Sequence, residues 1–98
     1  MRYEPYELDV KDSVADGTAF PVRHFSSKTV EVRGTFVATL QVQGRISPAA
    51  PWSDIGATIS SATLVSIAPA IAELRIKTTD YTSGTPLATF AGFNERTN

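Results

Sequence analysis

Residues Lys28–Gly44 read "KTVEVRGTFVATLQVQG", and their periodicity decides the fold. Over Lys28–Arg33, Val30 and Val32 point one way, while Thr29, Glu31 and Arg33 point the other. After Gly34, Phe36, Ala38, Leu40 and Val42 form an apolar row, and Thr39, Gln41 and Gln43 a polar one. A spacing of two belongs to a β-strand; a helix would scatter these residues around its axis. Gly34 punctuates the run, either as a tight turn or as a bulge within one long strand.

The same pattern recurs in "AELRIKTTDY", where Ala72, Leu74 and Ile76 alternate with Glu73, Arg75 and Lys77. A turn in "TSGTP" follows, with Gly84 available for positive φ, and "TPLATFAGF" resumes as a strand. This predicts an antiparallel hairpin joined through "DYTSGT". Further strands are expected in "YELDVKDSV", with Leu8 and Val10 on one face, and in "ATLVSIAPA", ended by Pro69. An Asp-Gly turn stands at Asp16 and Gly17, and "AFPVRHF" reads as an edge strand because Pro21 cannot donate to a ladder. The alternative for residues 68–74 is a short helical turn, opposed by Pro69 and the β-branched residues around it.

About a third of the residues are Val, Ile, Thr, Phe, Tyr or Trp, which favours strands. Roughly seven or eight short strands with regular turn signals predict an all-β protein, a single antiparallel β-sandwich of jelly-roll or immunoglobulin-like form. The organisation expected is an N-terminal arm (1–7), the sandwich (8–93) and a C-terminal tail (94–98). The core is expected from Phe36, Leu40, Val42, Leu74 and Ile76. Trp52, the single tryptophan, is expected to return to that core after the loop "RISPAAP", since tryptophans are highly buried on average.

At 98 residues, with 42% hydrophobic and 19% charged residues, the chain has the composition of one soluble globular domain. A net charge of −1 provides no field to gather nucleic acid, and no basic face for a membrane. No apolar run is long enough to cross a bilayer as a helix. The absence of cysteine excludes disulfides and thiolate metal sites, and points to synthesis in the cytoplasm. "MRYEPYELDV" lacks the apolar core of a signal peptide, and the chain is expected to be a complete small reading frame.

Chemistry-bearing residues are sparse. His24 is the only histidine, and neither a second His nor a Ser-His-Asp pattern accompanies it. Asp9, Asp12 and Asp16 lack the alternate spacing and closing Glu of a calcium loop, and turns collect Asp in any case. No catalytic residue, metal or cofactor is expected, and the chain is not expected to be an enzyme. Arg33, Arg75, Lys77 and Glu31 read as a solvated sheet face. The residues expected to meet a partner are Tyr3 and Tyr6, which flank Pro5 in the arm, and the loop bearing Ile46, Pro48 and Pro51. Tyrosine gives contact area at low entropic cost, and prolines lower the cost of ordering a loop against a neighbour. The tail "NERTN" is a third candidate. An exposed Trp52 would instead suit a glycan-binding or adhesion module.

Three segments together, "KTVEVRGTFVATLQVQGRIS", "PWSDIG" and "AELRIKTTDYTSGTPLATFAG", resemble a family of small β-sandwich proteins of tailed-bacteriophage virions. The resemblance spans residues 28–93 and departs from the pattern at "RISPAAPW", where the family carries an Asp-Gly turn before the Trp. It implies a virion structural role: a cement or decoration protein on the capsid surface, bound to the major capsid protein and trimeric about a local symmetry axis. A head–tail or tail component of the virion is the related alternative.

Overall fold

The computed structural model describes residues 3–23, 25–69 and 71–93, of which residues 3–5 and 93 are described in backbone only. Nine strands are present among them: β1 (Tyr3–Leu8), β2 (Ala15–Asp16), β3 (Phe20–Pro21), β4 (Ser27–Arg33), β5 (Phe36–Arg45), β6 (Ser53–Ile59), β7 (Thr63–Ser66), β8 (Glu73–Gly84) and β9 (Leu87–Phe93). Every pairing is antiparallel. They build a four-stranded sheet, β1-β9-β4-β7, and a five-stranded sheet, β2-β8-β5-β6, with β3 also on β8. Val30, Val32, Ala88 and Phe90 of the first sheet join Leu40, Val42, Leu74 and Ile76 of the second in one buried core. The protein is an all-β sandwich, as its alternating pattern predicts.

The chain at Gly34 and at the expected "DYTSGT" hairpin is organised differently. β4 and β5 lie in different sheets, and so do β8 and β9. β4 pairs with β9 from Ser27↔Phe93 to Arg33↔Leu87, and β5 pairs with β8 from Phe36↔Gly84 to Arg45↔Glu73. Between Arg33↔Leu87 and Phe36↔Gly84 no residue is gained or lost. The four strands are thus one long two-stranded ribbon that folds over from one sheet to the other. Of the two readings of Gly34, the interrupted long strand is the nearer one. The hairpin expected at "DYTSGT" is absent because Ser83 and Gly84 are spent on Val37 and Phe36 of β5.

The fold line needs two glycines. Gly34 has φ 101° and Gly84 φ 92°, where side-chain-bearing residues are strained. A Cβ on Gly34 would stand 2.6 Å from the Thr85 carbonyl oxygen, and one on Gly84 would strike the Thr35 carbonyl oxygen. The two chains therefore cross between sheets in contact, tied by Thr85 N–H donating to the Thr35 carbonyl at 3.1 Å.

β1 is an edge strand on β9, with Tyr6 opposite Phe90; it takes in residues 3–7 of the segment expected as an arm and Leu8 of the expected first strand. The Tyr6 ring sits 5.1 Å from Phe20 and 6.3 Å from Phe25, and those two lie 5.5 and 5.3 Å from Phe90. This aromatic cluster closes the side of the sandwich between β1 and β3. β6 was not legible as a strand, and residues 68–74 contain no helical turn among those described. The expected tail, 94–98, lies outside the described residues.

The connection after β1 is pinned by Asp9. Its carboxylate accepts from Lys11 Nζ at 2.9 Å, Thr18 N–H at 2.9 Å and Thr18 Oγ1 at 2.8 Å. The Lys11 contact first, and then the Thr18 hydroxyl, hold the Asp9 carboxyl below its ordinary range. A depressed folded-state pKa stabilises the fold above the ordinary Asp value, and that stabilisation is lost as pH falls through the folded value. Asp9→Asn should thus be less stable than wild type at neutral pH. The difference should shrink on acidification below about pH 4, read as urea midpoints across pH. At the fold line, Gly84→Ala should cost about 2–5 kcal/mol. Gly56→Ala is the control: its φ is 73°, nothing lies within 4 Å of the added Cβ, and it should cost about 1–2 kcal/mol. Equal costs at the two sites would count against a steric crossing at Gly84.

Candidate functional site

The outer face of the five-stranded sheet carries a polar belt that crosses all four strands of its main path. Arg75 on β8 contacts Asp16 on β2 at 3.4 Å and donates from Nε to Gln43 Oε1 on β5 at 2.9 Å. Gln43 Nε2 donates in turn to Asp54 on β6 at 2.8 Å. Beside it, Arg45 donates from Nε to Glu73 at 2.6 Å. Gln41 is buried, and its amide fills the irregularity between β5 and β6, donating to the carbonyls of Val42, Ile55 and Gly56 at 3.1–3.2 Å. Gln41 and Gln43, read from sequence as part of a polar face, are thus bonded to neighbouring strands rather than solvated.

Trp52 belongs to this belt and not to the core. The guanidinium carbons of Arg45 and Arg75 lie 4.4 and 4.3 Å from the centre of its ring, and the residue is half-buried. The physical reason is register: Trp52 adjoins Ser53, which pairs with Gly44, and so stands beside Arg45 on the outer face. At the end of the sandwich, Gly44 faces inward, and a Cβ there would meet Ile71 at 2.7 Å and Ile55 at 2.8 Å. That inward end of the strand is occupied by the two isoleucines. The ring turns outward instead, onto two cations whose charges are held by Glu73, Gln43 and Asp16.

This arrangement clamps the root of the β5–β6 loop. Beyond the clamp, Ile46 is 73% exposed, Pro48 and Pro51 are exposed, and Ala50 N–H donates to the Ser47 carbonyl at 3.1 Å. Below them Ile71 is half-buried, and Ala72 N–H donates to the Arg45 carbonyl at 2.8 Å. Two shallow grooves flank the tip and share Ile46 and Ile71. One, of about 350 Å³, is lined also by Pro51, Ile55 and Pro69; the other, of about 360 Å³, by Pro48 and Arg23. The tip is an apolar, proline-stiffened projection on a clamped base.

Other sequence-predicted residues are placed as follows. Leu40, Val42, Leu74 and Ile76 are fully buried, and Phe36 is half-buried against them. Tyr6 is 37% exposed, so most of its ring is spent on Phe20 and Phe25 of its own chain. It stands on a different edge from the loop tip. The side chain of Tyr3 and all of His24 lie outside what is described. Arg33, grouped with Arg75 in sequence, sits on the other sheet, where it contacts Glu7 at 3.0 Å and Thr89 at 3.3 Å. Among the described residues, no three His, Cys, Asp or Glu side chains gather around a metal-sized space. Ile71 is the participant that sequence reading missed; its isolation between Ala70 and Ala72 carries no periodic signal.

No protein-family model matches this chain, and no curated protein matches it in sequence. Among solved structures, the SPBc2 prophage-derived protein YomS is similar, with a TM-score of 0.66 over 93% of this chain and 95% of that one. At 11% identity the likeness is one of fold, and it extends over nearly the whole of both chains.

If Trp52 serves as a clamp, Trp52→Ala should lose about 1–3 kcal/mol, the range of two partly desolvated cation–π contacts. A core tryptophan would cost about 3–5 kcal/mol. Hydrogen exchange should quicken at residues 46–51 and stay unchanged in β4 and β8.

Proposed function

We propose that this protein is a bacteriophage virion structural protein that binds the capsid surface and stabilises it as a cement or decoration protein. The observation that carries this reading is the rigid apolar tip at Ile46–Pro51. A loop already ordered by two prolines and a clamped root pays little entropy on docking. The whole-chain likeness in fold to a prophage-derived protein, and the virion-type pattern over residues 28–93, supply the setting. The partner is the major capsid protein, and the mechanism is additive. Each copy buries a modest contact, and repetition over a symmetric shell multiplies it.

An adhesion role through an aromatic platform is disfavoured by Trp52, whose ring already carries two guanidinium groups. A head–tail or tail role shares the tip but differs in copy number, with few copies per particle instead of hundreds.

The test is occupancy on purified particles, with quantitative mass spectrometry counting copies per capsid. Ile46→Asp should leave the fold intact, because the side chain is solvent-facing, and should weaken rebinding to stripped shells by about tenfold to a hundredfold. A protein absent from particles, or rebinding unaffected by Ile46→Asp, would refute this reading.

A further inference from the structure

The edges of the two sheets are not equally protected. β1 carries Pro5, and β2 and β3 are two-residue pieces interrupted between Asp16 and Phe20, with Pro21 in the second. β6 is kinked by the irregularity opposite Gln41, with Gly56 at positive φ. Prolines, interruptions and bulges are the devices that keep an edge from pairing with another chain. β7, at the other edge of the four-stranded sheet, has none of them: Thr63, Leu64, Val65 and Ser66 include no Pro, Gly or charged residue.

The surroundings of β7 are equally unguarded. From Ile55 to Ala72 the sequence runs eighteen residues without a charge. Leu64 stands on the outer face of the sheet, opposite Glu31, and is 69% exposed. Residues 57, 58 and 60–63 are exposed as well, so the part of β6 after Asp54, the turn after it and β7 form one uncharged flank.

We infer that β7 pairs antiparallel with β7 of a second copy of this chain, joining two four-stranded sheets across a twofold axis. The occupant follows from charge. A different partner would be selected by complementary charge, and this flank offers none. A self-pairing strand faces its own residues across the axis, where any charge would meet its like, so neutrality is what self-pairing requires. The register follows from side-chain direction, because opposed residues on antiparallel strands share a face. Pairing Leu64 with its own counterpart places the exposed leucines side by side on the outer face. The Glu31 side chains then stand three strand spacings apart, about 14 Å, beyond the screening length in ordinary salt. A standard interface takes about 800 Å² per partner, roughly one seventh of the 5567 Å² surface. The whole flank is needed, and the four-residue strand sets its register.

The contact goes beyond the virion reading and stands apart from the Ile46 tip. It is also twofold, unlike the trimer that the sequence resemblance implies. Sedimentation equilibrium of the full chain, from micromolar to millimolar concentration, should fit a monomer–dimer equilibrium. Leu64→Lys and Leu64→Glu should each weaken self-association by about tenfold or more, and an equimolar mixture of the two should restore it. Circular dichroism checks that both variants fold. A wild type that stays monomeric or forms trimers would overturn the inference. So would dimerisation untouched by Leu64→Lys, or a mixture no more associated than its components.

Discussion

The sandwich depends on one steric fact: a two-stranded ribbon can fold over only where both chains tolerate positive φ and close backbone approach. Gly34 and Gly84 supply this side by side. Inward-facing residues are even-numbered on both sides of Gly34, from Val30 and Val32 to Leu40 and Val42. The strand therefore bends toward its own apolar face, and one uninterrupted alternation lines both walls of the core. On the paired strands β8 and β9 the same continuity is kept by compensation. Register shifts between Val37 and Ala38 and between Thr39 and Leu40 leave Thr82 and Thr79 of β8 unmatched. One extra residue reverses the alternation, and the second restores it, so Leu74 and Ile76 before the shifts and Ala88 and Phe90 after them all point inward.

With the core assigned to the ribbon, the outer face of the five-stranded sheet is free for another task. The belt from Asp16 through Arg75 and Gln43 to Asp54 runs across the strands, where backbone hydrogen bonding already links neighbours. Its effect is directional: it holds Arg75 beside Arg45, and the two guanidinium groups hold Trp52. Charge is used here to fix an aromatic ring outside the core, and the ring fixes the loop. Exposed ion pairs contribute little on their own, but a connected network with partly covered arginines restrains geometry better than a single pair.

The sandwich class, the strands β4, β5, β8 and β9 and the central core were legible because period two is strong over long segments. The connectivity was not. A glycine between two alternating runs reads equally as a hairpin turn or as a fold between sheets, since both need positive φ; only long-range pairing separates them. Tyr6 read both as the end of an arm and as the start of a strand, and an edge strand accommodates Pro5 on its unpaired side. β6 was obscured by Gly56 and by three residues facing one across the irregularity at Gln41, which break its alternation. The segment with Ile46, Pro48 and Pro51 was legible as a loop from its prolines, while the placement of Trp52 was missed. Average burial of tryptophan says nothing about whether two arginines from neighbouring strands hold the ring on the outer face.

The distribution of charge follows from the same topology. β6 and β7 are consecutive in sequence and form the two sheet edges on one side of the sandwich, opposite β1, β2 and β3. The loop before β6 and the one after β7 meet at the Ile46 and Ile71 grooves. A single segment, residues 46–72, with Asp54 as its one charge, therefore builds a continuous side and end of the molecule. The folded ribbon is made by the residues on either side of it. Apart from inward residues such as Ile55, Ile59 and Ile67, that segment is free to vary without disturbing the core. For the proposed capsid-binding role this division separates, in sequence, the surface that would dock from the ribbon that holds the fold.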